Sequence, residues 1–180
     1  MESIGIGPPD DPGTFMGPVI NGAAREKIRG YIRTGKKEAA LYLERKAGGA
    51  GYFLGPVLFR DVPPFSVIAR EEIFGPVLSV FRAKNIDEAI RIANGTPYAL
   101  TGGLFSRSPK NIRKVREEFR TGNLYINRKI TGALVGRQPF GGFGMSGIGS
   151  KAGGPDYLLQ FMNPRSISEN TMRRGFAPLR

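Results

Sequence analysis

Few side chains in this chain could do chemistry. Glu71 and Glu72 are adjacent carboxylates in the run Glu-Glu-Ile-Phe-Gly-Pro (71–76), just ahead of an apolar stretch. Read alone, that run is a surface turn, with both carboxylates in solvent, Phe74 tucked into the core and Gly75 and Pro76 bending the chain. Gly142, Gly144 and Gly147 spell the pattern G-x-G-x-x-G. That pattern holds a dinucleotide pyrophosphate only where a strand leads into it and a helix opens within it. Here Arg137, Gln138 and Pro139 precede it, which is not strand composition, so a loop shaping a pocket or interface is the plainer reading. Gly149, Ser150 and Lys151 invert the Gly-Lys-Ser/Thr order of a phosphate loop. Thr131, Gly132 and Ala133 make a turn of small residues, and such a turn can aim successive backbone N–H groups at an anion.

The inventory removes most other chemistries. The 180 residues contain no Cys, no His and no Trp. There is therefore no thiolate nucleophile, no disulfide and no imidazole base. No catalytic residue and no metal site is expected from this chain, since no run of spaced Asp resembles a calcium loop. Apolar residues at 40% and charged residues at 23% describe a globular chain of one-domain size. No run approaches the roughly 18 apolar residues of a membrane helix, and Met1 to Gly5 does not read as a secretory signal, so a cytoplasmic protein is expected. The net charge is +12. The basic residues are spread over Arg25 to Lys46, Lys110 to Arg120 and Arg173 to Arg174 rather than drawn into one stripe with aromatics. No nucleic-acid partner is expected; a solvated surface, or a face meeting an acidic partner, accounts for the charge better.

The elements that must position these residues can be read from punctuation and periodicity. Asn21 caps a helix to Thr34 with Gly35 as its stop, and Ala24, Ile28, Tyr31 and Ile32 share its inner face. Ala39 to Leu43 and Phe53 to Phe59 have strand composition. Val77 to Phe81 is a strand. Asn85 and Glu88 form a capping box for a helix to Asn94. Leu100 to Phe105 is a strand. Ser108 and Pro109 open a helix that Gly122 ends, and Leu124 to Ile126 is a strand. This alternation predicts an α/β layer with a mostly parallel sheet flanked by helices. Pro155 to Phe161 could be a short helix and Arg165 to Asn170 a strand.

Four segments, in order, carry a resemblance: Glu-Glu-Ile-Phe-Gly-Pro-Val (71–77), Ala-Asn-Gly-Thr-Pro-Tyr-Ala-Leu (93–100), Gly-Asn-Leu-Tyr-Ile-Asn (122–127) and Pro-Phe-Gly-Gly-Phe-Gly-Met-Ser-Gly (139–147). Together they resemble the aldehyde dehydrogenase superfamily. Residues 127–140 and 149–158 narrow this to the branch acting on 1-pyrroline-5-carboxylate, the cyclic form of L-glutamate γ-semialdehyde. The resemblance runs from about Pro8 to Pro178. It implies the aldehyde dehydrogenase catalytic-domain layer over residues 1–161, with an oligomerisation strand and tail over 162–180.

Family enzymes oxidise the semialdehyde to L-glutamate in proline degradation. A cysteine thiolate attacks the aldehyde, the adduct gives a hydride to NAD, and a glutamate-activated water releases the acid. By resemblance, Glu72 hydrogen-bonds the nicotinamide ribose and Phe74 packs near the nicotinamide. Gly132 and Ala133 present backbone N–H groups to the substrate carboxylate, and Phe140 packs on its aliphatic part. The chain departs from the family in lacking the cysteine, the base and the cofactor domain. An isolated chain is therefore expected to be inactive, to form a homo-oligomer, and to be completed by an N-terminal partner chain. The competing reading is a non-catalytic, self-associating or partner-binding domain.

Overall fold

A computed structural model describes residues 1–171. Helix α1 (Gly22–Glu38) is followed by strands β1 (Ala40–Glu44) and β2 (Val57–Arg60), the one-turn helix α2 (Val67–Arg70) and strand β3 (Val77–Ser79). Helix α3 (Ile86–Ala93), strands β4 (Tyr98–Ala99) and β5 (Thr101–Leu104), helix α4 (Pro109–Glu118) and strands β6 (Asn123–Ile126) and β7 (Phe143–Gly144) complete the order, before a 3₁₀ turn at Leu158–Phe161. The fold is α/β with parallel strand pairs, as expected, and its ladders fall into three small sheets. β2 pairs antiparallel with β1 and parallel with β3, β5 pairs parallel with β6, and β4 pairs antiparallel with β7. The β5–α4–β6 unit is the expected parallel crossover, whereas β3 joins β2 and has no ladder to β5. No described helix is long and apolar enough to cross a membrane.

The main core is small and sits in the first half. Ile28 and Ile32 of α1, Val57 and Phe59 of β2, and Val62, Ile68 and Ile73 are buried together, with Phe59 at 0% exposure. Asn21 caps α1 as expected, its side chain accepting from the Ala24 N–H at 2.8 Å. The helix does not stop at Gly35; it runs on to Glu38, and Gly35 is buried inside it. The glycine serves packing rather than termination. A Cβ on Gly35 would lie 2.7 Å from the Phe59 ring and 3.2 Å from Ile68 Cδ1. Glu38 then turns back on α2, accepting from Val67 N–H at 3.2 Å and Ile68 N–H at 3.4 Å. The strand expected over 53–59 begins only at Val57; Pro56 just before it has no N–H to give to a ladder, and Gly55 is pressed against the Arg45 backbone where a Cβ would collide.

The second half has little apolar core and is held by side-chain amides instead. Only Ile90 and Val115 are buried hydrophobics there among the described residues. The caps on α3 and α4 are as the sequence predicts: Asn85 accepts from Glu88 N–H at 2.9 Å and Ser108 from Asn111 N–H at 3.3 Å. The return bond of the capping box goes to Lys84 N–H at 2.7 Å, one residue before the cap. Lys114 of α4 bridges Asp87 of α3 at 2.8 Å and Glu118 at 2.6 Å. Two asparagines tie backbones that no ladder reaches. Asn94 donates to Glu118 O at 2.9 Å and accepts from Arg120 N–H at 2.9 Å. Asn127 accepts from Ser106 N–H at 2.8 Å and donates to Ser106 O at 3.0 Å.

Residues 165–170, expected as a strand, form none within this chain and lie exposed. Residues 172–180, with Arg173 and Arg174, lie outside the described residues. Among the described residues, Val135, Ile148, Leu158 and Phe161 are large apolar side chains open to solvent.

Two outcomes test this packing. Gly35→Ala ordinarily raises helix propensity by about 1 kcal/mol, but here overpacking against a ring with no room to move costs about 1–3 kcal/mol. Urea unfolding should show the variant less stable than the parent, and a gain in stability would contradict the contact. The second concerns Tyr31, whose O–H donates to Glu71 at 2.7 Å. That bond, desolvation and the neighbouring negative charge raise the phenol pKa above its ordinary 10.0. A folded pKa above the unfolded one gives a stabilising contribution that is complete below pH 10.0 and is lost as pH rises through the folded value. Glu71→Gln should bring the last-ionising phenol to lower pH in an ultraviolet absorbance titration.

Candidate functional site

The turn before β3 is shaped from the core outward. Gly75 is pressed on α1, where a Cβ would lie 2.6 Å from Ile28 Cδ1. Pro76 O accepts from Val57 N–H at 2.8 Å, locking the turn to β2. With Ile73 buried on one side and Gly75 against Ile28 on the other, Phe74 is forced out. It stands 82% exposed at φ 56°, a left-handed conformation that a bulky residue seldom adopts. The expected burial of Phe74 in the core is therefore wrong: the core already holds Ile73, and the next residue must face away. Glu71 is taken up by Tyr31. The Glu72 carboxylate is exposed and has no hydrogen-bond or ion-pair partner among the described residues. An unpaired carboxylate beside an open aromatic face can accept from hydroxyls while the ring covers a flat apolar group.

The loop after β6 is the second element. Gly132 has φ 112°, where a side chain would be strained, and Ala133 is half-buried. Neither N–H donates a hydrogen bond among the described residues. Beside them, Arg128 donates to Thr131 O at 3.3 Å and its guanidinium lies 5.5 Å from the centre of the Tyr125 ring. The far side of the loop is fixed at several points. Gln138 accepts from Leu134 N–H at 3.0 Å, Gly136 N–H donates to Gly153 O at 2.9 Å, and Phe140 N–H donates to Ala152 O at 2.8 Å.

Asn123 holds the two residues that flank Phe140. Its Nδ2 donates to Pro139 O at 3.0 Å and its Oδ1 accepts from Gly141 N–H at 3.2 Å. Gly122, one residue earlier, sits so close to the Gly141 carbonyl that a Cβ there would collide with it. Lys151 donates to Gly142 O and lies 4.7 Å from the centre of the Phe143 ring. Phe140 itself is 40% exposed. The glycine pattern at 142–147 opens no helix; it forms β7 and a turn in which Ser146 accepts from Ala99 N–H at 3.1 Å.

The five residues picked from the sequence thus fall into two groups. Glu72 and Phe74 ride on the main core, while Gly132, Ala133 and Phe140 ride on β6 and the glycine-rich segment. No hydrogen bond joins the groups among the described residues. Sequence reading missed Asn123, Arg128 and Lys151. The spacing of Asn123 and Asn127 around a strand was the available signal for the first, since asparagine is a poor strand former. Cleft size does not find the site either. A cleft of about 680 Å³ runs along α1, lined by Lys27, Tyr31 and Lys37, and an apolar one of about 340 Å³ lies against Phe81 and Ile92. Neither includes any of the five residues.

With this geometry in view, the likeness to known proteins is specific. Residues 1–167 match the aldehyde dehydrogenase family. The 1-pyrroline-5-carboxylate dehydrogenase of Geobacillus sp. (strain WCH70) is 52% identical over 169 residues, covering 93% of this chain and 33% of the relative. That of Bacillus subtilis (strain 168) is 47% identical over 173 residues, with the same coverage. Among solved structures, the Thermus 1-pyrroline-5-carboxylate dehydrogenase with bound NAD superposes at a TM-score of 0.84 and 50% identity, covering 89% of this chain and 31% of its own. Proline utilization A from Bdellovibrio bacteriovorus, inactivated by N-propargylglycine, reaches a TM-score of 0.91 and 56% identity, covering 99% and 19%. The chain spans about a third of the length of the curated relatives it matches.

The Asn123 clamp predicts a local effect. Asn123→Ala removes two hydrogen bonds to backbone, each worth about 1 kcal/mol. Amide exchange at Gly141 should speed up by roughly fivefold or more, the equivalent of one such bond, while exchange at Val57 and Phe59 is unchanged. Asn123→Asp keeps the acceptor for Gly141 and should preserve most of its protection.

Proposed function

Because the chain belongs to the aldehyde dehydrogenase family, we propose that it is the part of an NAD-dependent 1-pyrroline-5-carboxylate dehydrogenase that receives the substrate carboxylate and the nicotinamide end of the cofactor. The observation that carries this reading is the pair of unpartnered N–H groups at Gly132 and Ala133, set beside a Phe140 whose neighbours on both sides are clamped. Relatives bearing that enzyme name at about half identity support the substrate class.

Each residue then has a physical task. The Gly132 and Ala133 amides donate to the carboxylate of glutamate γ-semialdehyde. A glycine at 132 leaves room for close approach and tolerates φ 112°. Phe140 covers the aliphatic carbons and excludes water from them. Glu72 accepts hydrogen bonds from the ribose hydroxyls and Phe74 lies against the nicotinamide, a use that fits a free carboxylate next to an outward ring. When bound, NAD supplies the hydride acceptor for the oxidation. These contacts hold an aldehyde at a fixed place, which is worth a large share of a barrier only when a nucleophile is positioned opposite.

No residue of this chain is that nucleophile, because the 180 residues contain no Cys. Glu71 is no stand-in for the base, being bonded to Tyr31. The purified chain is therefore inactive on this reading. The remaining chemistry comes from residues that this polypeptide does not carry, in a homo-oligomeric, cytoplasmic enzyme to which the described residues 162–171 contribute their part of the oligomerisation strand and an N-terminal partner chain the missing two thirds, since 33% of the relatives' length is covered here. A second reading, a non-catalytic self-associating domain, draws support from the exposed Val135, Ile148, Leu158 and Phe161.

One chimera separates the two. The matching third of the Geobacillus relative is replaced by residues 1–180 of this chain. Restored NAD reduction with glutamate γ-semialdehyde, well above that with a simple aliphatic aldehyde, is the expected result. A folded chimera without that preference would remove the carboxylate reading, and NAD reduction by the purified chain alone would remove the claim of inactivity.

A further inference from the structure

We propose that Arg128 is a specificity-determining residue: it supplies the positive charge by which the 131–133 loop selects a carboxylate over a neutral group of the same shape. The inference rests on the carboxylate reading of that loop. The placement is close. A Cβ on Gly132 would lie 2.9 Å from Arg128 Nη2, so the guanidinium is packed against the backbone of a residue whose N–H has no partner. Two contacts keep it there, the bond to Thr131 O at 3.3 Å and the stacking on Tyr125 at 5.5 Å. A guanidinium over an aromatic face is weakly hydrated and restricted in orientation, so little freedom is lost when it binds.

The cation is also unspent. Arg128 takes part in no ion pair among the described residues, whereas the acidic side chains nearest other cations, such as Asp87, Glu118 and Glu44, are already engaged. A guanidinium carries five N–H donors, and the bond to Thr131 uses one of them. What remains, with the two loop amides, is a donor set without an acceptor: two backbone N–H groups and a fixed charged fork. A carboxylate has two oxygens and about four lone-pair sites and matches such a set; an amide or methyl end does not. The amides alone would accept any carbonyl oxygen. The charge is what separates an acid from its neutral isostere.

The test uses the 180-residue chain, labelled for amide spectroscopy, with free glutarate as probe and glutaramide as its neutral isostere. The Gly132 and Ala133 amides should shift with glutarate and not with glutaramide. Arg128→Gln should weaken glutarate binding by roughly tenfold, the loss of about one charge-assisted hydrogen bond, and Arg128→Lys should recover part of it. Unchanged signals from Val57 and Phe59 would verify that the variants fold. Equal glutarate affinity in Arg128→Gln and the parent overturns the role of Arg128 and leaves the carboxylate loop standing. Absence of any shift at Gly132 and Ala133 in the parent overturns both.

Discussion

The contact between Gly35 and the Phe59 ring is the constraint on which the first half of the molecule depends. Phe59 is fully buried and belongs to the central strand of its sheet. It reaches full burial only because the helix above it offers a glycine at the point of closest approach. That approach brings α1 down onto β2, which places Ile28 and Ile32 against Val57 and Ile68. The same descent puts Ile28 against Gly75, so the turn before β3 has no space on its inner side. Phe74 faces outward as a consequence. A Phe held at φ 56° costs on the order of 1–3 kcal/mol, and the packed core around Ile73 and Gly75 is what maintains it.

The second half solves the same problem with different means. Its strands are short, its segment 141–154 is glycine-rich and its buried apolar set is small. Hydrophobic burial cannot fix such a chain to better than a loop's freedom. Asparagine amides can, because each offers a donor and an acceptor at a fixed spacing, as a peptide group does. Asn127 pairs with Ser106 in this way just beyond β5 and β6, and Asn94 with Glu118 and Arg120 at the foot of α3 and α4. Asn123 does it across Phe140. The glycines are then not slack. At Gly122 and Gly142 they allow backbones to touch where a Cβ would strike a main-chain atom.

Local signals were the legible part of this fold. The caps at Asn21, Asn85 and Ser108 declare themselves, since a side-chain acceptor before an amphipathic run answers to nothing beyond its own turn. The β5–α4–β6 crossover follows from its periodicity. What failed was any inference needing a distant partner. Gly35 reads as a stop because nothing local reveals Phe59, twenty-four positions on. Phe74 reads as core because hydrophobicity alone cannot say which of Ile73 and Phe74 the core has room for. Sheet membership of β3 is likewise a long-range choice, and β2 takes it. The candidate site was legible only through its resemblance to a family. Its residues are a glycine, an alanine, two phenylalanines and a carboxylate, none with a chemistry that composition would flag.

That last point has a physical reason. A site that recognises a ligand through backbone N–H groups leaves almost no side-chain signature; what it needs from the sequence is the absence of a Cβ and of competing partners. Gly132 supplies the first, and the pairing of the rest of the loop with Gln138, Gly153 and Ala152 supplies the second. The price is that such amides discriminate weakly, because a backbone N–H carries no net charge. A charge of fixed sign must come from a side chain nearby, and the space the glycine has cleared lets that side chain approach the loop backbone. An arginine four residues upstream, stacked on Tyr125 and tied to Thr131, lies there, 2.9 Å from where a Gly132 Cβ would be. A lysine would bring the charge without the planar stacking that keeps it beside the loop. On the proposed reading, rigid backbone for position and a parked cation for selection are separable tasks, so a loop as small as Thr131, Gly132 and Ala133 suffices.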